Sequence, residues 1–495
     1  MADKPVVFFL SPEVAPFAKT GGLADVAGSL PSALHRLGVE VAVALPFYRL
    51  IKEANLSIWE KIPKLEVPLG EEALPCKVFE TKTAEGISVY FLDREDLFDR
   101  PHLYGTPEGD YYDNFERFCF FSRAALLFAK STGFHFRIAH CHDWQTGLVP
   151  AYLRTVYHAD PFFVNTATVF TIHNLGYQGL FPKSKLPISG IPQSEFNPEG
   201  IEYWDKISLL KAGISYSDAI TTVSQKYSEE IKTPELGQGM DGFLRKRGGA
   251  FYGILNGVDY GGWNPFRDPH IPFNYDSGKL EAKKQNKAAL MEELGLRPSS
   301  NEQPLLGMVS RLSSQKGFDL VLQIAEDAVK LKALLVILGE GDEIYQSALV
   351  DLSRKHGENI AVRIGFDDPL AHRIMAGADM LLIPSLYEPC GLTQMYALKY
   401  GTVPIVRATG GLDDTIEPFD PAKKSGNGFK FGPYKAEALL GAVQEAFLVF
   451  RNKEAWKTLM LNGMKEDFSW DRSARRYLGI YQALIRKKKE GASAA

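Results

Sequence analysis

Arg311 and Lys316 fall in one short segment, Ser310-Arg311-Leu312-Ser313-Ser314-Gln315-Lys316-Gly317, between an apolar run and a helical pattern. A guanidinium and an ammonium on a loop that opens a helix, with the helix's positive end behind them, make a cradle for a diphosphate leaving group. Two surface ion-pair formers would look the same, and that reading stays open at this point. Downstream, Ile383-Pro384-Ser385-Leu386-Tyr387-Glu388-Pro389-Cys390-Gly391-Leu392-Thr393 ends an apolar run, turns at Glu388-Pro389 and opens a helix. Amides at a helix start hold phosphate, and a carboxylate at Glu388 can stabilise an oxocarbenium-like transition state by charge. The competing reading of Glu388 is an acid that complements the helix dipole.

Three segments of the first half carry similar chemistry. Ala18-Lys19-Thr20-Gly21-Gly22-Leu23-Ala24-Asp25-Val26 offers paired glycines and a compact cation, suited to a phosphate or to sugar hydroxyls. It matches neither GxGxxG nor GxxxxGK[ST], which argues against a dinucleotide dehydrogenase and a P-loop NTPase. A tight strand-to-helix turn is the alternative. Ala139-His140-Cys141-His142-Asp143-Trp144-Gln145 packs two imidazoles, a thiol and a carboxylate together, which raises zinc. No second ligand cluster at metal spacing accompanies it. An Asp beside a Trp suits a sugar instead, the carboxylate taking hydroxyl hydrogen bonds and the indole packing on the ring's apolar face. In Phe170-Thr171-Ile172-His173-Asn174-Leu175-Gly176-Tyr177-Gln178-Gly179, His173 stands where a strand should end and offers imidazole or backbone carbonyl to a reacting sugar; a hydrogen-bonded loop histidine is the bland reading. Ala408-Thr409-Gly410-Gly411-Leu412 exposes further glycine amides after the last apolar strand. With no Asp-x-Asp pattern in the chain, anion binding is expected from cations and helix ends without a metal.

These loops need strands before them and helices after them. Val6 to Leu10 reads as a buried strand; Leu23, Val26, Ala27, Leu30, Ala33, Leu34 and Leu37 follow helical spacing; Gly38 stops that helix; and Val39 to Leu45 is the next strand. Pro31 is expected to kink the helix. The unit recurs with a strand at Leu305 to Val309 and a helix face at Phe318, Val321, Ile324, Ala325 and Ala328. Apolar runs at Leu334 to Leu338, Ala361 to Ile364, Met380 to Ile383 and Val403 to Val406 complete a parallel sheet covered on both faces. The fold class is α/β: two Rossmann-like, doubly wound parallel-sheet domains with an interdomain cleft. A glycine-rich turn, Gly253 to Asn264, puts the boundary near residue 256, giving domains over 1–255 and 256–469. A helix with Tyr477, Leu478, Tyr481, Leu484 and Ile485 on one face follows, before a basic tail taken as solvated.

Bulk properties fit that organisation. At 495 residues, the chain exceeds the roughly 250 to 300 that one core serves. A net charge of -4 gives no global field for nucleic acid or an anionic membrane, so neither is expected as a partner. Cys76, Cys119, Cys141 and Cys390 show no disulfide or zinc spacing and indicate a reducing compartment. The first apolar run is too short for a signal peptide, and the longest uncharged stretch, Pro161 to Pro182, is too polar to span a membrane. The expectation is a soluble, cytoplasmic protein.

In order along nearly the whole chain, K-T-G-G-L-A-D-V, H-x-H-D-W, T-I-H-N-L-x-Y-Q-G, S-R-L-x-x-Q-K-G and E-P-C-G-L-T-Q closely resemble the bacterial glycogen synthases and plant starch synthases. The resemblance implies a GT-B glycosyltransferase that moves glucose from ADP-glucose to the 4-hydroxyl of an α-1,4-glucan with retention of configuration, using no cofactor. It further implies that Lys19, Gly21 and Gly22 lie in the donor site, with Asp25 and Asn256 near the nucleotide or its ribose. Arg311 and Lys316 would neutralise the diphosphate, Glu388 would sit beside the donor sugar, and Ser385, Cys390, Gly391, Leu392 and Thr393 would contact phosphate or glucose. Asp143 and His173 would line the catalytic cleft, and the C-terminal helix, 470–495, would return to the first domain. Phe366 stands where the family often has Tyr against the adenine, so the ring can still stack but has no hydroxyl to offer. Position 396 is Tyr, as is usual in these synthases, which leaves the acidic role to Glu388. UDP-glucose as donor, an inert glucan-binding protein and a pyridoxal-phosphate phosphorylase are the alternatives. Plastid stroma replaces cytoplasm if this is a processed plant-type enzyme.

Overall fold

The computed structural model describes residues 4–106, 108–300 and 302–494, with the side chains of 491–494 excepted. The chain divides into two compact units: Met1–Val223 with Ser228–Gly257 and Trp470–Ala495, and Ser224–Tyr227 with Val258–Ser469.

The first unit is built on a nine-stranded sheet. In chain order its strands are β1 (Val6–Leu10), β2 (Glu40–Pro46), β3 (Trp59–Leu69), β4 (Glu72–Lys82), β5 (Ser88–Asp93), β6 (Ile138–His142), β7 (Ala167–Ile172), β8 (Ala219–Thr222) and β9 (Phe251–Gly253). Their spatial order is β9-β8-β7-β6-β1-β2-β5-β4-β3. Strands β9 through β5 run parallel, which requires crossover helices and covers both faces. Val7, Phe8, Phe9 and Leu10 are accordingly all buried, though neighbours along a strand point to opposite faces. An antiparallel pair with no counterpart in the sequence expectations, β3 and β4 joined at Gly70, extends the sheet past β5. The first crossover helix, Gly22–Arg36, runs through the buried Pro31 and ends before Gly38 at φ +84°. The C-terminal helix Trp470–Ala494 packs on that crossover helix and reaches β6 through Tyr481, whose hydroxyl lies 2.7 Å from His140 Nδ1.

The second unit carries six parallel strands, β10 (Leu305–Val309), β11 (Leu334–Gly339), β12 (Ile360–Ile364), β13 (Met380–Ile383), β14 (Val403–Arg407) and β15 (Phe429–Phe431), ordered β12-β11-β10-β13-β14-β15. Helices Phe318–Lys330 and Ala436–Arg451 close one face through Phe318, Val321, Ile324, Leu439 and Val443. Helices Glu281–Leu294 and Asp368–Gly377 close the other through Leu290, Leu294, Leu370 and Ile374. In each sheet the chain order reverses once beside the first strand of the doubly wound part, between β1 and β6 and between β10 and β13. Loops leaving the carboxyl ends of two such strands part to opposite sides and open a crevice, where α/β sheets bind ligands. No helix of the described residues is long and apolar enough to cross a membrane. All four cysteines are buried, with no disulfide among the described residues.

Candidate active site

In the second unit the loops after β10 and β13 meet. Lys316 Nζ donates to Glu388 Oε2 at 2.6 Å, and Ser385 Oγ donates to the same oxygen at 2.9 Å. Backbone fixes both loops: Leu386 N–H donates to the Gln315 carbonyl at 2.8 Å, and Gln315 Nε2 to the Tyr387 carbonyl at 3.1 Å. Gly317 allows this approach, since at φ +78° a Cβ would stand 2.3 Å from the Pro384 carbonyl oxygen. The Glu388 segment is closed from behind by the next loop. Gly411 N–H donates to the Glu388 carbonyl at 3.1 Å, and a Cβ on Gly410, at φ +47°, would lie 1.9 Å from that oxygen. The Gly410-Gly411 pair therefore serves close packing under Glu388, where the sequence suggested an anion turn. Gln394 Nε2 secures the helix opening by donating to the carbonyls of Cys390 and Gly391 and to Thr415 Oγ1.

Glu388 and Ser385 are buried, Lys316 is half-buried, and Gly391, Leu392 and Thr393 are partly open at the start of helix Thr393–Lys399. Arg311 is exposed, and its guanidinium makes no ion pair or hydrogen bond among the described residues. Phe366 follows β12 with 78% of its surface exposed, a large apolar face for a mobile ligand ring.

In the first unit the corresponding loops follow β1, β6 and β7. The glycine loop binds an anion of this chain's own: Glu13, buried after β1, accepts from Thr20 N–H at 2.5 Å, Thr20 Oγ1 at 2.6 Å and Gly21 N–H at 3.3 Å. Tyr104 Oη donates to Glu13 at 2.7 Å. Gly22 then opens its helix, and Lys19 is exposed and paired with Asp25 at 2.7 Å. Sequence reasoning passed over Glu13; its signal is a carboxylate three positions beyond an apolar strand, on the same loop as the glycine pair.

Asp143 follows β6 at φ +54°, ψ -177°, a backbone region that side chains avoid and that is retained where function or tight packing requires it. Its Oδ1 accepts the His173 N–H at 2.7 Å, which ties the β6 and β7 loops together. Burial pushes the Asp143 carboxyl up to about 7 against the pull of the His173 and Asn174 amides. His173 Nε2 lies 2.9 Å from His142 Nδ1, and burial pushes His173 down to about 3, so its ring is neutral at ordinary pH. His140 and His142 are likewise held well below the usual range by burial.

The neighbouring groups are committed in ways the sequence left open. His140 Nε2 lies 2.7 Å from Thr171 Oγ1, and strand alternation turns Cys141 away from both histidines, so the motif presents no convergent zinc set. Trp144 differs from the expectation of a sugar platform. Its indole is buried against Phe118 and Phe181, and a Cβ on Gly179 would sit 2.5 Å from its ring. Asn256 is buried with Oδ1 lacking a hydrogen-bond partner, the condition of an acceptor that awaits a ligand or water.

A family model described as the starch synthase catalytic domain matches residues 6–246, and one for glycosyl transferases group 1 matches residues 296–453. A glycogen synthase of Koribacter versatilis is 47% identical over 476 residues, 96% of this chain and 97% of that one. A glycogen synthase of Syntrophotalea carbinolica is 47% identical over 480 residues, 97% and 99% of the two chains. Among solved structures, the catalytic domain of starch synthase IV from Arabidopsis thaliana, bound to ADP and acarbose, superposes with a TM-score of 0.90 at 32% identity, covering 98% of this chain and 99% of that one. A sucrose-phosphate synthase from Thermosynechococcus elongatus, TM-score 0.60 at 18% identity over 98% and 100% of the chains, shares the fold. With relatives this similar over almost their whole length and the two parallel-sheet units of the GT-B fold, the chain belongs to the glycogen synthase and starch synthase family of glycosyltransferases.

Proposed function

We propose that this enzyme transfers glucose from ADP-glucose to the non-reducing 4-hydroxyl of an α-1,4-glucan, with retention and without a metal ion. The observation that carries the reading is the Lys316–Glu388–Ser385 cluster, which brings a cation and a carboxylate together where the second sheet's chain order reverses. Support for the donor comes from the ADP held by the Arabidopsis starch synthase IV domain, and for the acceptor from the acarbose bound to the same domain.

In this mechanism Arg311, Lys316 and the amides at Gly391, Leu392 and Thr393 take up the charge that develops on the leaving diphosphate, with Ser385 and Cys390 beside them. Glu388 faces the donor sugar and stabilises positive charge at C1. Phe366 stacks on the adenine, while Asn256, Asp25, Lys19, Gly21 and Gly22 serve the nucleotide and sugar. Asp143 and neutral His173 orient the reacting sugar by hydrogen bonds. The bond from C1 to the diphosphate oxygen breaks as the bond from C1 to the acceptor O4 forms on the same face, and the departing oxygen takes the acceptor's proton. Preorganised donors of this kind are worth about 3 to 4 kcal/mol each in comparable sites. Residues 256–469 act on the nucleotide sugar, and residues 1–255 with the helix at 470–495 act on the glucan. The compartment that fits is the cytoplasm, or the plastid stroma for a processed plant-type chain.

The test is product analysis by proton NMR after incubation with ADP-glucose and a maltooligosaccharide in EDTA. New α-1,4 anomeric signal is expected. A β linkage, or free glucose with no chain extension, would overturn the reading.

A further inference from the structure

The second unit gathers a set of ligand atoms that plays no part in the transfer chemistry. Asp368 and His372 stand one helical turn apart on helix Asp368–Gly377, and His270 comes from the distant loop that precedes helix Glu281–Leu294. Spacing of i and i+4 puts both helix side chains on one face, the arrangement that paired ligands on metal-binding helices use. One ligand atom from each of the three residues lies within 4.8 Å of the other two. A bound ion with bonds of about 2.0 to 2.2 Å draws tetrahedral ligands to roughly 3.4 Å apart, a closure that side-chain torsions of exposed Asp368 and half-buried His270 can supply.

The groups that would orient these ligands are already in place. Asp268, fully buried, accepts from His372 Nδ1 at 2.7 Å and from the His270 backbone N–H at 2.8 Å, and also takes the Tyr400 hydroxyl. With Nδ1–H given to Asp268, the lone pair of His372 lies on Nε2, which faces Asp368 at 3.8 Å and makes no hydrogen bond among the described residues. A carboxylate behind a histidine in this way fixes the tautomer and ring orientation and raises the basicity of the ligating nitrogen. The indole of Trp263 stacks on the His372 ring at 3.7 Å and 12°, which holds the ring plane from the side. Two carboxylates, Asp368 as ligand and Asp268 behind, balance the charge of a divalent ion at a site with neutral imidazoles.

We propose that His270, Asp368 and His372 bind one divalent transition-metal ion of the zinc and cobalt class. Two imidazole nitrogens and one carboxylate oxygen select these ions over calcium or magnesium, and leave a fourth position for water. The sequence hides the site because His270 stands about a hundred positions before its partners.

The proposal is tested on the tag-free full chain, stripped with EDTA and desalted, by calorimetric titration with Zn²⁺ and by Co²⁺ titration read in tryptophan fluorescence. One equivalent is expected to bind, with Co²⁺ quenching Trp263 across the stacked His372 ring. Asp368→Ala and His270→Ala, neither in the buried core, are each expected to weaken binding at least tenfold. Trp263→Phe is expected to remove the quenching and keep the calorimetric binding. Absence of one-equivalent binding would overturn the proposal, as would unchanged affinity in both ligand variants or quenching that survives Trp263→Phe.

Discussion

Lys316 Nζ stands 2.6 Å from Glu388 Oε2, and the two residues leave adjacent parallel strands on either side of the chain-order reversal in the second sheet. The pair is screened from water, with Glu388 buried and Lys316 half-buried. An incoming diphosphate therefore meets a cation already placed and can share it with the carboxylate that faces the sugar, so the site needs little rearrangement when charge moves.

That pair couples stability to catalysis in a way a double mutant separates. Lys316→Met leaves the Glu388 carboxylate buried without its counter-ion, which costs about 3 kcal/mol or more. It should lower the thermal midpoint and reduce kcat by about 10²- to 10³-fold with little change in glucan KM. Adding Glu388→Gln removes the stranded charge, so the midpoint should recover while turnover stays low. Recovery of turnover in the double mutant would remove Lys316 from the leaving-group role.

Arg311 offers the complementary case. Its exposed guanidinium holds no partner among the described residues, so Arg311→Ala should change stability by no more than about 0.5 kcal/mol. Turnover should nonetheless fall by about two orders of magnitude. Equal losses of stability and activity, read by melting curves and steady-state kinetics, would mark it as structural.

Gly410→Ala tests the packing under Glu388. The new Cβ would meet the Glu388 carbonyl oxygen at 1.9 Å from a left-handed backbone, so the segment must move. A loss of about 2 kcal/mol or more and a fall in kcat are expected together. Wild-type kinetics in this variant would show that the position of Glu388 is not set by the glycine pair.

Asp143 gives the fold a pH signature. Its carboxyl sits near 7 in the folded chain, because burial outweighs the amides it accepts from, against an ordinary value of 3.8. Between those values the folded chain keeps a proton that the unfolded chain has released, so this group's contribution to stability falls as pH rises through the window and is flat above it. Asp143→Asn removes the slope and, through its amide oxygen, keeps an acceptor for His173. The variant should gain stability relative to the parent on going from pH 5 to pH 8, by up to about 2.7 kcal/mol. Urea unfolding at the two pH values reads this difference, and a difference that does not change with pH would contradict it.

Much of the architecture was legible because strands buried on both faces write themselves as apolar runs: Leu305–Val309 and Met380–Ile383 coincide with the runs read from periodicity. The loops carrying Lys316, Glu388, Asp143 and His173 were legible for the same reason, since each follows such a run. What was hidden depends on partners far apart in the chain. Tyr104 on Glu13, Tyr481 on His140 and Asp268 behind His372 are pairings that local spacing does not encode. Trp144 was misplaced because an indole beside a carboxylate reads alike in a sugar site and in a core; Phe118 and Phe181, which decide the matter, belong to other elements. The antiparallel pair β3 and β4 escaped because its exposed outer strand alternates weakly between apolar and polar residues.

The most direct measurement is nucleoside diphosphate release from ADP-glucose and from UDP-glucose, each with and without glycogen, in EDTA. Glycogen-dependent release of ADP is the expected result. Release from UDP-glucose alone would contradict the donor assignment, and release from neither would contradict transfer itself.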